Sequence, residues 1–147
     1  MGSDEYVVNV QGAVVRDEEY LLIERAAEED HAGGKLGFPG GKVEQEPGGE
    51  ATIEATARRE LREEVGVEVG TVEYVLSRTF EADDGTRCLN IVTLCEHESS
   101  TARPRSPAEV VDVFWLSTAE IADREDAPDY LERDVKRIDS HRHSGSA

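Results

Sequence analysis

Between Ala51 and Val67 the chain reads ATIEATARRELREEVGV, a spacing that fits a helix with two opposed faces. Ala57, Leu61 and Val65 recur every four residues, while Glu60, Glu63 and Glu64 stand at i, i+3 and i+4, so an apolar stripe faces one way and three carboxylates the other. Thr52 is placed to cap the start of this helix, and Gly66 to end it in a left-handed C-terminal cap. Like charges at such spacing cost an isolated helix roughly 0.2–0.5 kcal/mol per pair, so the cluster calls for cations or for open water. Hard divalent ions, Mg²⁺ or Mn²⁺, prefer carboxylate and carbonyl oxygens and bind beside substrate phosphates. Alone, an RExxEE run in an acidic chain reads as a solvated helical face. The loop Phe38-Pro39-Gly40-Gly41-Lys42-Val43-Glu44 just upstream changes that reading.

Loop, helix and cap together resemble the signature of the Nudix hydrolases, pyrophosphohydrolases of nucleoside diphosphates linked to another moiety. The family pattern is G, five residues, E, seven residues, then R-E-U-x-E-E-x-G-U with U aliphatic, and Arg59 to Val67 matches that last stretch at every fixed position. Here eight residues separate Gly41 from Glu50, and the position eight before Arg59 is Ala51; an insertion around Gln45-Glu46-Pro47-Gly48-Gly49 accounts for the departure. The resemblance implies the Nudix α/β/α sandwich with a mixed β-sheet, its site on the box helix and preceding loop. It implies Glu63, Glu64 and the Gly40 carbonyl as ligands of Mg²⁺ or Mn²⁺. Glu60 is then a general base or a further ligand, and Arg59 orients the carboxylates. Families of this type recruit another carboxylate from outside the box, for which Glu109 and Asp112 are the candidates.

Upstream, Leu22-Ile23-Glu24-Arg25-Ala26-Ala27, His31-Ala32 and Lys35 to Lys42 resemble the nucleotide-sanitising MutT branch. That likeness implies Arg25 on substrate phosphate and Phe38 beside the base, with Lys42 a nearby cation. By themselves, Arg25 is a strand-end charge and Phe38 a core aromatic. The implied reaction is metal-dependent cleavage of a pyrophosphate bond in a nucleoside di- or triphosphate, oxidised or not, or in a nucleoside diphosphate linked to another group. The alternatives are an ADP-ribose or nucleotide-sugar pyrophosphatase and a non-catalytic nucleotide-binding module of the same fold. No Pro lies between Pro47 and Pro104, against the ADP-ribose branch, and Glu60, Glu63 and Glu64 are all retained, against the module. The only Asn residues are Asn9 and Asn90, so the C-terminal Asn with which the MutT branch reads guanine is missing. Asp126 and Asp129 are the residues at hand there, and the base stays open.

At 147 residues the chain is one domain's worth, expected over residues 1–139, with a disordered polar tail over 140–147. The further strands expected are Tyr6 to Val15, Tyr20 to Glu24, Val72 to Phe80, Thr86 to Glu96 and Val110 to Leu116, with a Ser117/Glu120 capping box and a last helix from Asp126 to Ile138. Cys88 and Cys95 fall on opposite faces of one strand and stay reduced; neither they nor the four His have zinc-like spacing. No apolar run is long enough to span a bilayer, and no signal peptide is visible, so a cytoplasmic monomer or homodimer without a membrane partner is expected.

Acidic residues number 33 against 16 basic, a formal charge of −17, and only Lys35, Lys42 and Lys136 are Lys. Such a surface lacks the basic stripe that nucleic-acid binding needs. It suits a halophilic cytoplasm, where a Debye length of about 3 Å at 1 M salt suppresses self-repulsion. The melting temperature is therefore expected to rise as KCl increases from about 0.1 M toward molar levels. Scanning fluorimetry checks this, and a flat or falling trend contradicts the halophilic reading.

Overall fold

Alternation along three strands decides the layering. In β1 (Val7–Arg16), Val10 and Val14 face one side and Ala13 the other; in β2 (Glu19–Arg25), Leu21 and Ile23 oppose Tyr20 and Leu22; in β6 (Arg87–Ser99), Ile91 and Cys95 oppose Val92 and Leu94. The first set is covered by Ala57, Leu61 and Val65 of α1 (Thr52–Val65). The second is covered by Ile121 of α2 (Thr118–Ala122) and by Leu131, Val135 and Ile138 of α3 (Asp129–Ser144). A strand buried on both faces needs helices on both, and the result is the expected α/β/α sandwich around a mixed sheet. This computed structural model describes residues 5–26, 34–44 and 49–144, and among them no helix is long and apolar enough to cross a membrane.

Sheet order places the site. The main path runs β3 (Leu36–Gly37), β2, β1, β6, β5 (Glu68–Glu81), with β4 (Gly40–Lys42) paired to β1 and β7 (Val110–Leu116) to β2. β1 and β6 are parallel, and the other pairs are antiparallel. β1 and β2 meet only at Val15/Tyr20 and Arg16/Glu19 beside their two-residue turn, then splay. Leu36 to Lys42 fills the fork: β3 pairs with Ile23 and Glu24 on one arm, β4 with Asn9 to Gln11 on the other. The N–H of Gly12 donates to the carbonyl of Pro39 at 2.9 Å, closing the crotch.

Several expectations need correction. Thr52 is the first helical residue and not the cap; Ala51 precedes it in a left-handed conformation (φ 51°) and no side chain caps the helix. The Gly66 C-cap is as expected, at φ 71°, with its N–H on the carbonyl of Arg62. β3 and β4 replace what reads as loop, because the fork gives both segments a partner strand. β5 begins at Glu68, paired to Ser99, and its bulges hide the alternation there. α3 starts at Asp129 and runs to Ser144 through the stretch assigned to a tail. Its last turns are held by Tyr20 Oη donating to Asp139, by an Arg142–Glu18 ion pair and by Arg142 over the Tyr20 ring. The Ser117/Glu120 capping box and the bounds of β7 are as expected, and Cys88 and Cys95 are buried free thiols. His31, the Gln45 to Gly48 part of the insertion and residues 145–147 lie outside the described residues.

Leu61 is fully buried, with its methyl groups against Gly12 of β1, and so anchors α1 to the sheet. Leu61→Ala should cost roughly 2–5 kcal/mol of unfolding free energy, measured by urea denaturation in EDTA.

Candidate active site

The fork brings the glycines of the FPGGK loop over the carboxylates of α1. A Cβ on Gly40 would lie 2.3 Å from the Val10 carbonyl oxygen and 2.7 Å from Gln11 Cα, inside the β1 backbone. A Cβ on Gly41 would lie 2.1 Å from a carboxylate oxygen of Glu60. Only glycine lets the loop pass between strand and helix at this distance.

Glu64 is the deepest acid of the cluster, 5% exposed, and the Gly40 N–H donates to its Oε1 at 3.2 Å. Burial pushes its pKa up to about 8, against the pull of Arg25 and the Gly40 N–H, while Glu60 and Glu109 push the same way as burial. Glu60 is also raised, by burial first, with Arg59 opposing and Glu63 and Glu109 adding repulsion. The Arg59 guanidinium donates to Glu60 Oε2 at 3.1 and 3.3 Å and to the Lys42 carbonyl at 2.8 Å, locking one carboxylate to the loop. Glu63 stands exposed at the rim.

Of the two outside candidates, Glu109 is the one whose charge is felt at Glu60 and Glu64, and its side chain is exposed. Its turn is fixed by the N–H groups of Glu109 and Val110 on the Ser106 carbonyl, both at 2.8 Å, and by Ala26 N–H on the Glu109 carbonyl at 2.9 Å. The carboxylate of Asp112 instead accepts the N–H of Val113, and its field is felt by Arg124. Glu50 lies exposed ahead of α1.

Arg25 ends β2 between the two faces. Its Nη2 donates to the Phe38 carbonyl at 3.2 Å, its guanidinium lies against Gly37, and its charge reaches both Glu64 and Tyr130. The Phe38 ring is 1% exposed and meets Tyr20 edge-on at 6.5 Å, so it packs in the core, and only its carbonyl turns to Arg25. Lys42 is exposed on β4 and its charge is felt at Asp84 in the β5–β6 turn. Asp126 is held by Arg124 at 2.8 and 2.9 Å, while Asp129 is exposed at the start of α3.

Two groups escaped the sequence reading. Asp134, buried on α3, pairs with Arg78 of β5 next to Tyr130, and nothing in the spacing of positions 78, 130 and 134 announces it. Residues 103–106 lie along the end of α1, where composition shows only a Pro- and Arg-bearing loop.

Among the described residues, no three acidic, His or Cys side chains stand close enough to enclose an ion as arranged. Glu60 is drawn to Arg59 and Glu64 to Gly40. The donor set fits a hard divalent cation: all oxygen, acidic, and partly desolvated with too few positive partners.

Comparison with known proteins identifies the family. The NUDIX domain family profile matches residues 7–134. The CTP pyrophosphohydrolase of Escherichia coli (strain K12) is 42% identical over 76 residues, 51% of this chain and 53% of the relative, so the chain spans about half the length of that curated protein. The MutT protein of Methanosarcina mazei Go1 superposes with a TM-score of 0.79 at 22% identity, covering 95% of this chain and 97% of that one. The solution structure of the E. coli ORF135 protein superposes at 0.69 with 28% identity, covering 98% and 96%. With the profile running from the start of β1 into α3 across the whole carboxylate site, this chain belongs to the Nudix family.

Proposed function

We propose that this protein is a metal-dependent pyrophosphohydrolase acting on a nucleoside di- or triphosphate type substrate. The observation that carries the reading is the buried Glu64 carboxylate on the Gly40 N–H, flanked by Glu60 and Glu109 within a family signature. Glu60, Glu63, Glu64 and the Gly40 carbonyl, joined by Glu109, would hold Mg²⁺ or Mn²⁺, in keeping with the general use of divalent ions by Nudix hydrolases. Such an ion supplies charge neutralisation on the phosphates and lowers the pKa of water. Glu60 accepts the proton of the attacking water, and Arg59 keeps its carboxylate in place. Arg25 binds a substrate phosphate, and Phe38 holds Arg25 through its carbonyl. Lys42 adds positive charge at the loop.

CTP heads the substrates to test, from the named activity of the E. coli relative, followed by other NTPs and dNTPs, 8-oxo-dGTP, ADP-ribose and dinucleoside polyphosphates. Phosphate or pyrophosphate release is read with Mg²⁺ or Mn²⁺ at low and high salt. A screen with no turnover in any arm overturns the reading. The acidic surface supports a cytoplasm of high salt as the working environment.

Glu64→Gln gives a double test. It should remove most hydrolysis while stabilising the metal-free protein. The folded pKa of about 8 lies above the unfolded value of 4.5, so the Glu64 contribution to stability is full below about 4.5 and lost as pH rises through 8. In EDTA the variant should melt close to wild type at pH 5 and above it by roughly 2–6 °C at pH 8.5. Wild-type turnover in Glu64→Gln, or undiminished activity in EDTA, removes the site assignment. Arg25→Ala should lower kcat/KM by roughly ten- to a hundred-fold, about 1.5–3 kcal/mol, with Mn²⁺ affinity kept. A change within about twofold, under 0.5 kcal/mol, would return Arg25 to an ordinary strand-end charge.

A further inference from the structure

The last turn of a helix leaves its final carbonyls without partners inside the helix. In α1 these belong to Arg62, Glu63, Glu64 and Val65, and one short segment supplies a donor to each. Arg105 Nη1 donates to the Arg62 carbonyl at 3.3 Å, beside the Gly66 N–H already there. Ser106 Oγ donates to Glu63 at 3.4 Å, the Arg105 N–H to Glu64 at 2.8 Å and the Arg103 N–H to Val65 at 3.0 Å. The approach depends on Gly66, where a Cβ would lie 2.8 Å from Arg105 Cδ. Pro104 and Pro107 flank Arg105-Ser106 and restrict φ on either side. The same Ser106 then accepts the N–H of Glu109 through its carbonyl, and the Glu109 carbonyl is tied to Ala26, next to Arg25.

We infer that Arg103 to Ser106 is a strap that ties the turn of Glu109 to the end of the box helix and so sets how far Glu109 stands from the box carboxylates, with Arg105 and Ser106 as positioning residues. The inference rests on the metal-dependent reading above. One end of the strap is fixed to the backbone of Glu63 and Glu64, the other to the turn of Glu109. Shifting it changes the distance between acids that must converge on one ion, without altering any of those acids. A helix cap alone would stabilise α1 and leave Glu109 out of account.

A double-mutant cycle separates the two. Mn²⁺ binding to the full chain, without substrate, is measured by electron paramagnetic resonance for wild type, Arg105→Ala/Ser106→Ala, Glu109→Gln and the combined variant. Far-UV circular dichroism and melting in EDTA are followed in parallel. The strap variant should bind Mn²⁺ three- to tenfold more weakly in the wild-type background and no more weakly in the Glu109→Gln background. In turnover it should lower kcat with KM unchanged, and Arg105→Lys/Ser106→Thr should recover most of the loss. Should the double strap variant fail to fold, Ser106→Ala alone carries the same cycle. Equal losses in both backgrounds, an unchanged Mn²⁺ affinity, or a silent Glu109→Gln overturns the strap. Wild-type protein that neither binds Mn²⁺ nor hydrolyses a nucleotide overturns the functional reading instead.

Discussion

The close passage of the Gly40 backbone along β1 is the contact on which the rest of the site depends. It exists because β1 and β2 separate after two residue pairs, leaving two strand edges with unsatisfied backbone groups. A loop had to fill that fork, and an edge left empty inside the molecule would carry a desolvation penalty for every unpaired N–H and C=O. The loop that fills it pairs with both arms and so has little freedom left. Gly40 and Gly41 are fixed by this to within van der Waals distance of strand and helix, which turns the Gly40 amide toward Glu64.

Charge is distributed in two different ways in this molecule. Most of its acids lie on the surface, where water and salt screen them. Glu60 and Glu64 are withdrawn from water, and the guanidiniums nearest them are anchored elsewhere as well: Arg59 also to Lys42, Arg25 to Phe38. Local strain of this kind is tolerated only where the surroundings over-determine it, and here fork, helix and Glu109 turn all do so. The hydrophobic seat of α1, with Leu61 against Gly12, offsets the repulsion on the opposite face of the same helix.

What the amino-acid order announced depended on how local the determinants were. α1 was legible because its period, its carboxylate spacing and its terminal glycine all lie within one short segment. β7 and the Ser117/Glu120 box were legible for the same reason. β3 and β4 were not: strands of two and three residues carry no periodicity, and only the fork makes them strands. The end of α3 was hidden because its anchors, Tyr20 and Glu18, lie more than a hundred residues earlier. The backbone turn that holds Glu109, made by the Ser106 carbonyl and the Ala26 N–H, joins residues far apart in the chain and left no mark in the sequence. Phe38 shows the converse: family likeness pointed to a base-facing ring, whereas packing against Tyr20 leaves it no exposed face.

The parallel pairing of β1 with β6 also orders the assembly of the molecule in time. It joins Val7 to Cys88 and continues to Val15 and Glu96, so the middle of the sheet closes only after a long intervening stretch has been synthesised. Part of the seat of α1, at Ile91 and Cys95, comes from that late strand. Loop-closure entropy for such a separation must be met before any of these contacts forms, which makes this pairing a slow step relative to the local hairpins. A nascent chain ending before β6 thus carries every residue of the glutamate-rich helix and has no completed floor on which to set it.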